Sequence, residues 1–454
     1  MSKFYSRRDF LKLAGMAGAS LALAGCTPNA ATEVATEAAT VGDGSFKVTN
    51  LVAPSWWAPH EIAGAEASFA GKFQAETGLT LKYEFIGTNY NEKVFTNLAS
   101  DTPYDVITYN ADSVPVYRDR GLLLPLNSFI ERDGYDTSNI IPSALSQWTY
   151  EGQIYGLTAD MGSFHAYFNY DLFEKAGITP PKPTEDWTWD QLREYASKLT
   201  IKDGDNITQY GLVVDTDWCW EAWPNMNGAF IFDEGLKKCV IDDPAAIEAY
   251  AFYQDLMYKD NACIKPGATK IAINDLFLGG QAAIMFNGTW QVGYLRSMKE
   301  EMKAKWDVGL LPHGPKVQKP FIPNFTAGWV LPKVAQDPDA SWEAIKFYAS
   351  DTFAEEVMFV VLSGLPCTKS ALEGAWYAQW PDNPPEGLTR DFYSAMLDRG
   401  AARRHLRFDI GAEIVASLDK LAMVYSDEAK PSALLPEIAA EVNAILNDKP
   451  WNAG

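Results

Sequence analysis

Strand and helix signals alternate from residue 46 to residue 109, and this alternation limits the possible folds more than any other feature of the chain. Residues 46–52 alternate apolar and polar toward a strand, ending in the turn-like Ala53-Pro54-Ser55. Residues 61–77 place Ile62, Ala65, Phe69, Phe73 and Glu76 near one helical face, with Gly78 as the stop. Residues 79–86 read as a second strand, 91–100 as a short helix and 105–109 as a strand of the buried type. A βαβαβ order implies the α/β class, a parallel sheet with helices on its faces. Farther on, Thr188-Trp189-Asp190-Gln191 is a capping box for a helix to Leu199. Asp243-Pro244 supplies an N-cap and a first-turn proline for a helix to Tyr258. Residues 282–286 read as a strand closed by a turn at Asn287-Gly288. Helices are expected from Pro338 to about Ser350 and over 431–446, and no fixed-period repeat is visible.

Charge narrows the partners. The chain carries 38 Lys+Arg against 59 Asp+Glu, a formal net charge of −21. Nucleic acid demands basic patches, and anionic lipid surfaces demand the same, so both are poor partners. Neutral ligands or cations fit better. An apolar content of 47% supports large cores.

The first residues read as an address. Ser6-Arg7-Arg8-Asp9-Phe10-Leu11-Lys12 is a twin-arginine motif, and an apolar stretch over 13–24 follows it. That stretch is far shorter than the ~20 residues of a spanning helix. Leu23-Ala24-Gly25-Cys26 then matches the lipobox of bacterial lipoproteins. Residues 1–25 are therefore expected to be a cleaved export signal. Cys26 is expected to carry the lipid, and 26–45 to be a flexible tether too small and polar for a core. The expected location is outside the cytoplasm, anchored to the membrane without spanning it. Cys219, Cys239, Cys263 and Cys367 remain. They could pair in any of three complete connectivities, or stay as isolated buried thiols.

A longer series of short motifs runs in order along the chain. Phe73-Gln-Ala-Glu-Thr77-Gly78 is followed by Tyr90-Asn91-Glu92-Lys93, Pro103-Tyr104-Asp105-Val106-Ile107 and Gly121-Leu-Leu-Leu-Pro125-Leu126. Next come Tyr155-Gly156-Leu157, the run from Phe168 to Gly177, and Trp189-Asp190-Gln191-Leu192. Gly279-Gly280-Gln281-Ala282-Ala283-Ile284-Met285, Asn287-Gly288-Thr289-Trp290 and Leu310-Leu311-Pro312 precede the run from Ser341 to Phe347 and Gly364-Leu365-Pro366. In this order they resemble the family 1 extracellular solute-binding proteins of ABC importers, relatives of maltose-binding protein. The resemblance covers about residues 46–450. It implies a two-lobed periplasmic-binding-protein (Venus flytrap) fold with a three-crossing hinge and ligand in the cleft. The crossings should lie just after Tyr155-Gly156-Leu157, near Leu311-Pro312 and near Gly364-Leu365-Pro366. One lobe would be 46–158 plus 313–363, the other 165–308 plus 368–450.

Ligands of open α/β sheets sit beyond the strand C-termini, so residues just past strand ends are the candidates. Trp56 and Trp57 follow the first strand, and one of the two is expected in the core. Asn110 and Asp112 follow the strand over 105–109, and Asp160 follows the first crossing. Trp218, Trp220, Glu221 and Trp223 crowd a Pro/Asn-rich loop. Trp290 follows a strand and turn, and Trp329 follows Ala327-Gly328. An indole desolvates the C–H face of a pyranose, while carboxylates and amides take its hydroxyls. With 15 Trp in the chain, core packing competes with this role at each position. Trp187, Trp189 and Trp342, at helix starts or on helices, are expected to pack. Arg403-Arg404-His405-Leu406-Arg407 is the one strong basic run. In relatives this segment returns to the cleft, so Arg404 is a candidate; a basic surface face is the alternative. Relatives often carry an aromatic shortly afterwards, where this chain has Asp409-Ile410-Gly411-Ala412.

The remaining signatures are weak. The four His are scattered without metal-ligand spacing. Asp203-Gly204-Asp205-Asn206 opens like a calcium loop but has Thr208 at position 6 and Val214 at position 12, so a hairpin tip is expected. No cofactor and no catalysis are expected. The resemblance implies a monomeric receptor that delivers a carbohydrate, an oligosaccharide above all, to ABC permease subunits driven by a cytoplasmic ATPase. The same fold could instead hold a polyamine, a glycerol phosphoester or a peptide.

Overall fold

The structure is a computed structural model that describes residues 46–448 apart from 58, 101, 205, 215–218, 235–236, 299–300, 303, 358–364, 375–386 and 403–411. The leader, Cys26, the tether and the Arg403–Arg407 run lie outside the described residues.

The opening alternation of strands and helices folds as expected, except that Ala53-Pro54-Ser55, expected as a turn, continues the first strand because Tyr83, Glu84 and Phe85 pair with it. β1 (Asn50–Ser55) and β2 (Thr80–Phe85) pair in parallel from Asn50↔Thr80 to Ser55↔Phe85. The helix between them runs over Pro59–Ser68, through a π-helical turn at Phe69–Phe73, into Gln74–Thr77. It stops at Gly78, whose φ of 74° is the left-handed cap that glycine takes without strain. β3 (Ile107–Asn110) follows, tied to β1 by the Asp105 N–H on the Val52 carbonyl at 3.1 Å. Short strands β4 (Leu123–Leu124), β5 (Thr149–Tyr150) and β6 (Gln153–Ile154) lead to β7 (Gly156–Asn169), which is 14 residues long and buried along nearly its whole length.

β7 organises the rest. Its first half, from Gly156 to Ser163, pairs with β12 (Ile322–Pro332), which also carries β3 and β4. Its second half pairs with β10 (Ala282–Gly288) and β11 (Trp306–Gly309). β10 in turn carries the hairpin of β8 (Ile201–Asp203) and β9 (Asn206–Val214). β13 (Leu365–Pro366) pairs with Met161 and Asp160, and β14 (Gly400–Ala402) pairs with the start of β12. The sheet is therefore mixed. Within it β9–β10 and β12–β14 are parallel, but β12 and β10 run antiparallel to β7, and β1–β2 form a separate parallel pair. An all-parallel sheet fails here because β7 and β12 are long strands that serve both halves in opposite directions.

Two hydrophobic clusters flank this spine. One gathers Ile86, Val94, Tyr109, Tyr117 and Trp148 with Val330. The other gathers Ile231, Ile241, Tyr250, Ile414, Leu435, Ile438 and Leu446. The chain over 313–321 stays bonded to the second half. His313 N–H donates to the Trp187 carbonyl at 2.8 Å, Gly314 N–H to Met226 at 2.7 Å and Phe321 N–H to Asn225 at 3.1 Å.

Local signals are mostly honoured. Thr188 and Gln191 close both bonds of the capping box on the helix Trp189–Leu199. The Asp243 carboxylate caps Pro244–Tyr258 through the Ala245 N–H. The strand over 203–206 is a hairpin tip, with Asp203 opposite Asn206. Asn287-Gly288, expected as a turn, instead continues β10, because His165 and Phe164 of β7 supply it with ladder partners. The four described cysteines are all free and buried. Among the described residues no helix is long and apolar enough to cross a membrane, and no group of three potential ligands for a metal occurs.

Candidate functional site

Two of the expected residues, Asn110 and Asp160, fall on one row across the sheet. Asn110 of β3 stands opposite Ala327 of β12, Ala327 opposite Asp160 of β7, and Asp160 opposite Pro366 of β13. Directly opposed residues share a face of a sheet. The register shifts between Ala327 and Gly328, so that Ala159 is an extra residue on β7. Such a bulge re-aims side chains. Thr158 holds it, its hydroxyl lying 2.6 Å from the Ala327 carbonyl and 2.8 Å from that of Asp160.

Asp160 is the electrostatic centre of the row. The residue keeps a partial opening to solvent, but its Oδ1 is sealed and meets no hydrogen-bond partner among the described residues. Burial pushes its carboxyl up to about 7, and a backbone hydrogen bond at Ala327 pulls part-way back. Its charge also helps to raise the buried Tyr348 hydroxyl and the Cys367 thiol, for which desolvation is the larger cause. An oxygen like this costs free energy until it is given a donor.

Below Asp160, on the same face of β7, come Gly162 and Phe164. Phe325 of β12 lies over Gly162, where an added Cβ would sit 2.3 Å from its ring. Trp290 lies over Gly288 in the same way, at 2.1 Å. The three rings form one cluster, with Phe164–Phe325 at 5.3 Å, Trp290–Phe325 at 5.6 Å and Phe164–Trp290 at 6.0 Å between centroids. Phe164 is buried, whereas Phe325 and Trp290 are half-buried. The result is a partly open aromatic floor, laid flat by two glycines, beside an unpartnered carboxylate oxygen. None of the residues forming row and floor is basic.

Trp56 stands at the end of β1, half-buried and edge-on to Tyr90 at 4.9 Å. The Tyr90 hydroxyl donates to the Thr108 carbonyl at 2.7 Å, fixing this corner to β3. Its neighbour Trp57 is the core member of the pair, 8% exposed and packed on Tyr83 and Tyr348.

Two further tryptophans are corrected. Trp329, expected at the ligand, is fully buried, stacked on Tyr348 at 4.4 Å, with its indole N–H on the Thr108 hydroxyl at 3.0 Å. Tyr348 of the Pro338–Tyr348 helix and Phe69 explain this, because both pack on the indole and cover this face of β12. Trp223, also expected at the ligand, is buried and stacked on Tyr253 at 4.3 Å, because the Ala222–Met226 helix lies against Pro244–Tyr258. Trp220 is half-buried against the second hydrophobic cluster. Trp187, Trp189 and Trp342 are buried packing residues. The side chain of Asp112, together with Trp218 and Arg404, lies outside the described residues.

Phe164 and Phe325 were missed because each sits inside a strand rather than after one. The available signal was the even spacing Asp160, Gly162, Phe164, which on a strand puts a carboxylate, a gap and a ring in one line.

Residues 68–385 match the bacterial extracellular solute-binding protein family. The chain belongs to that family. Residues 5–24 match the twin-arginine translocation signal sequence, so this solute-binding protein is exported from the cytoplasm. A putative binding protein of Brucella abortus is 24% identical over 385 residues, 82% of this chain and 88% of that one. Among solved structures, an ABC substrate-binding protein from Listeria monocytogenes in complex with cycloalternan superposes with a TM-score of 0.74 at 22% identity, over 88% of this chain and 99% of that chain. A Mycobacterium tuberculosis protein in complex with glycerophosphocholine superposes at 0.72 and 19% identity, over 88% and 98%. These likenesses establish the two-lobed fold. Solute-binding proteins of ABC importers bind small molecules and deliver them to permease subunits.

Proposed function

We propose that the solute is a sugar, an oligosaccharide rather than a single ring, gripped where β7 and β12 cross between the lobes. The observation that carries this reading is the pairing of the Trp290–Phe325 floor with the unpartnered oxygen of Asp160. A pyranose offers an apolar face to such a floor and a hydroxyl proton to such an oxygen. Asn110, at the end of the same row, adds an amide for a second hydroxyl, and Trp56 walls the first lobe's side. Asp112, Trp220 and Arg404 are further candidates from the loops around it. The lobes are taken as 46–158 plus 313–363 and 165–308 plus 368–450, moved at one edge so that 313–321, which bonds to Trp187, Met226 and Asn225, goes with the second, and the crossing in β7 lies between Ser163 and Phe164. Cys26 is taken to carry the lipid that holds a monomeric receptor near its permease. The protein binds its sugar without altering it.

Calorimetry over a panel of mono- and oligosaccharides tests this. Saturable binding of a saccharide, weakened at least tenfold by Trp290→Ala, is expected. A second reading, a glycerol phosphodiester, draws on the likeness to the glycerophosphocholine-bound protein. It needs basic side chains that neither row nor floor provides. Binding of glycerophosphocholine with no response to any saccharide would replace the sugar by that ligand.

A further inference from the structure

A second pair of partly open rings lies along the same strand. Phe321 is 40% exposed and packs on the half-buried Phe230 at 5.3 Å between centroids. Phe321 immediately precedes β12 and is four residues from Phe325. An even separation on an extended chain returns to the same face, and four residues span about 13 Å. The pair is therefore in phase with the aromatic floor and one ligand unit or more away from it.

The support is rigid. Besides the Phe321 N–H on the Asn225 carbonyl at 3.1 Å, the Asn225 amide donates to the Ala229 carbonyl at 2.8 Å. Asn227 accepts from the Lys316 N–H at 3.1 Å and donates to the Ala245 carbonyl at 2.8 Å. A large apolar ring left open to water on a free loop would fold down; here several bonds hold the backbone beneath it in place. Aromatic rings fixed in this way lose little entropy on meeting a ligand.

We propose that Phe230 and Phe321 form a second aromatic platform, which takes an outer ring of a chain-like saccharide whose inner ring lies on Trp290 and Phe325. The inference rests on the sugar reading above and adds to it the reason for preferring a long ligand.

Calorimetric titration with linear gluco-oligosaccharides of two to six units, α-1,4, α-1,6 and β-1,4 linked, tests the platform on wild type, Phe321→Ala and Phe321→Trp. Wild type is expected to gain affinity with length. Phe321→Ala is expected to lose about three- to tenfold for the longer members and to leave the disaccharide unchanged, the size of one aromatic contact. Phe321→Trp is expected to keep the length dependence, which separates lost stacking from a disturbed loop. Equal affinities for wild type and Phe321→Ala at every length, or an equal loss at every length, would overturn the platform and leave the sugar reading standing. A wild type that binds none of the series would overturn both.

Discussion

Asp160 holds the most consequential atom of the candidate site, a carboxylate oxygen shut away from water with no donor to accept from among the described residues. Its pKa rises from the ordinary 3.8 to about 7, so the folded state disfavours the ionised form. Stability from this residue is therefore greatest below pH 4, falls as pH rises through the window from about 4 to 7, and stays low above it. Ligand-free Asp160→Asn is expected to match wild type near pH 4 and to exceed it by ~2–4 kcal/mol at pH 8, as read by denaturant unfolding at both pH values. A constant difference across that window would show that the carboxyl is solvated. The same variant should bind its sugar more weakly, because an amide oxygen is a poorer acceptor than a carboxylate. The tryptophans divide by burial. Trp329→Ala empties a packed site and is expected to cost about 3–5 kcal/mol of stability. Trp290→Ala, at a half-buried ring, is expected to cost affinity chiefly, and parallel melting and titration of the two variants separates the roles.

At the scale of elements, β7 and β12 do most of the positioning. Gly162 and Gly288 leave the space in which Phe325 and Trp290 lie flat on the strands. Gly288→Ala puts a methyl 2.1 Å from the Trp290 ring, so the ring must swing away. Overpacking of this kind costs about 1–3 kcal/mol, and calorimetry should show a loss of sugar affinity of about tenfold with it. Helix boundaries were legible from the sequence because caps and stops are local. Thr188, Gln191, Asp243 and Gly78 announce themselves within four residues. Asn110 was legible as a strand-end residue, while Asp160, placed by the first crossing, proves to lie inside β7. Trp329 was not, because its burial depends on Phe69, about 260 residues away in sequence, and on Tyr348 from the helix that follows its strand. The strand character of Asn287-Gly288 was hidden for the same reason, since it depends on β7 as a partner. Long-range register decides which face a residue meets, and a single slip reverses it.

At the scale of the whole molecule, two lobes share strands that pass between them, and the proposed site lies on those shared strands. A ligand at the proposed site would touch both halves at once. Its binding can favour closure only through contacts better made when closed, and moving a 1:99 equilibrium to 99:1 needs about 5.5 kcal/mol of such preference. Stacking on Trp290 and Phe325, with charge-assisted bonds to Asp160, is the kind of contact that supplies it. The central claim is that a sugar ring lies on that floor with a hydroxyl on Asp160. Diffraction from crystals grown with the tightest-binding oligosaccharide of the panel tests this most directly. The account predicts ring density stacked on Trp290 and Phe325, with one hydroxyl within hydrogen-bond distance of Asp160 Oδ1. A saccharide seated elsewhere, leaving that oxygen without a donor, would contradict it.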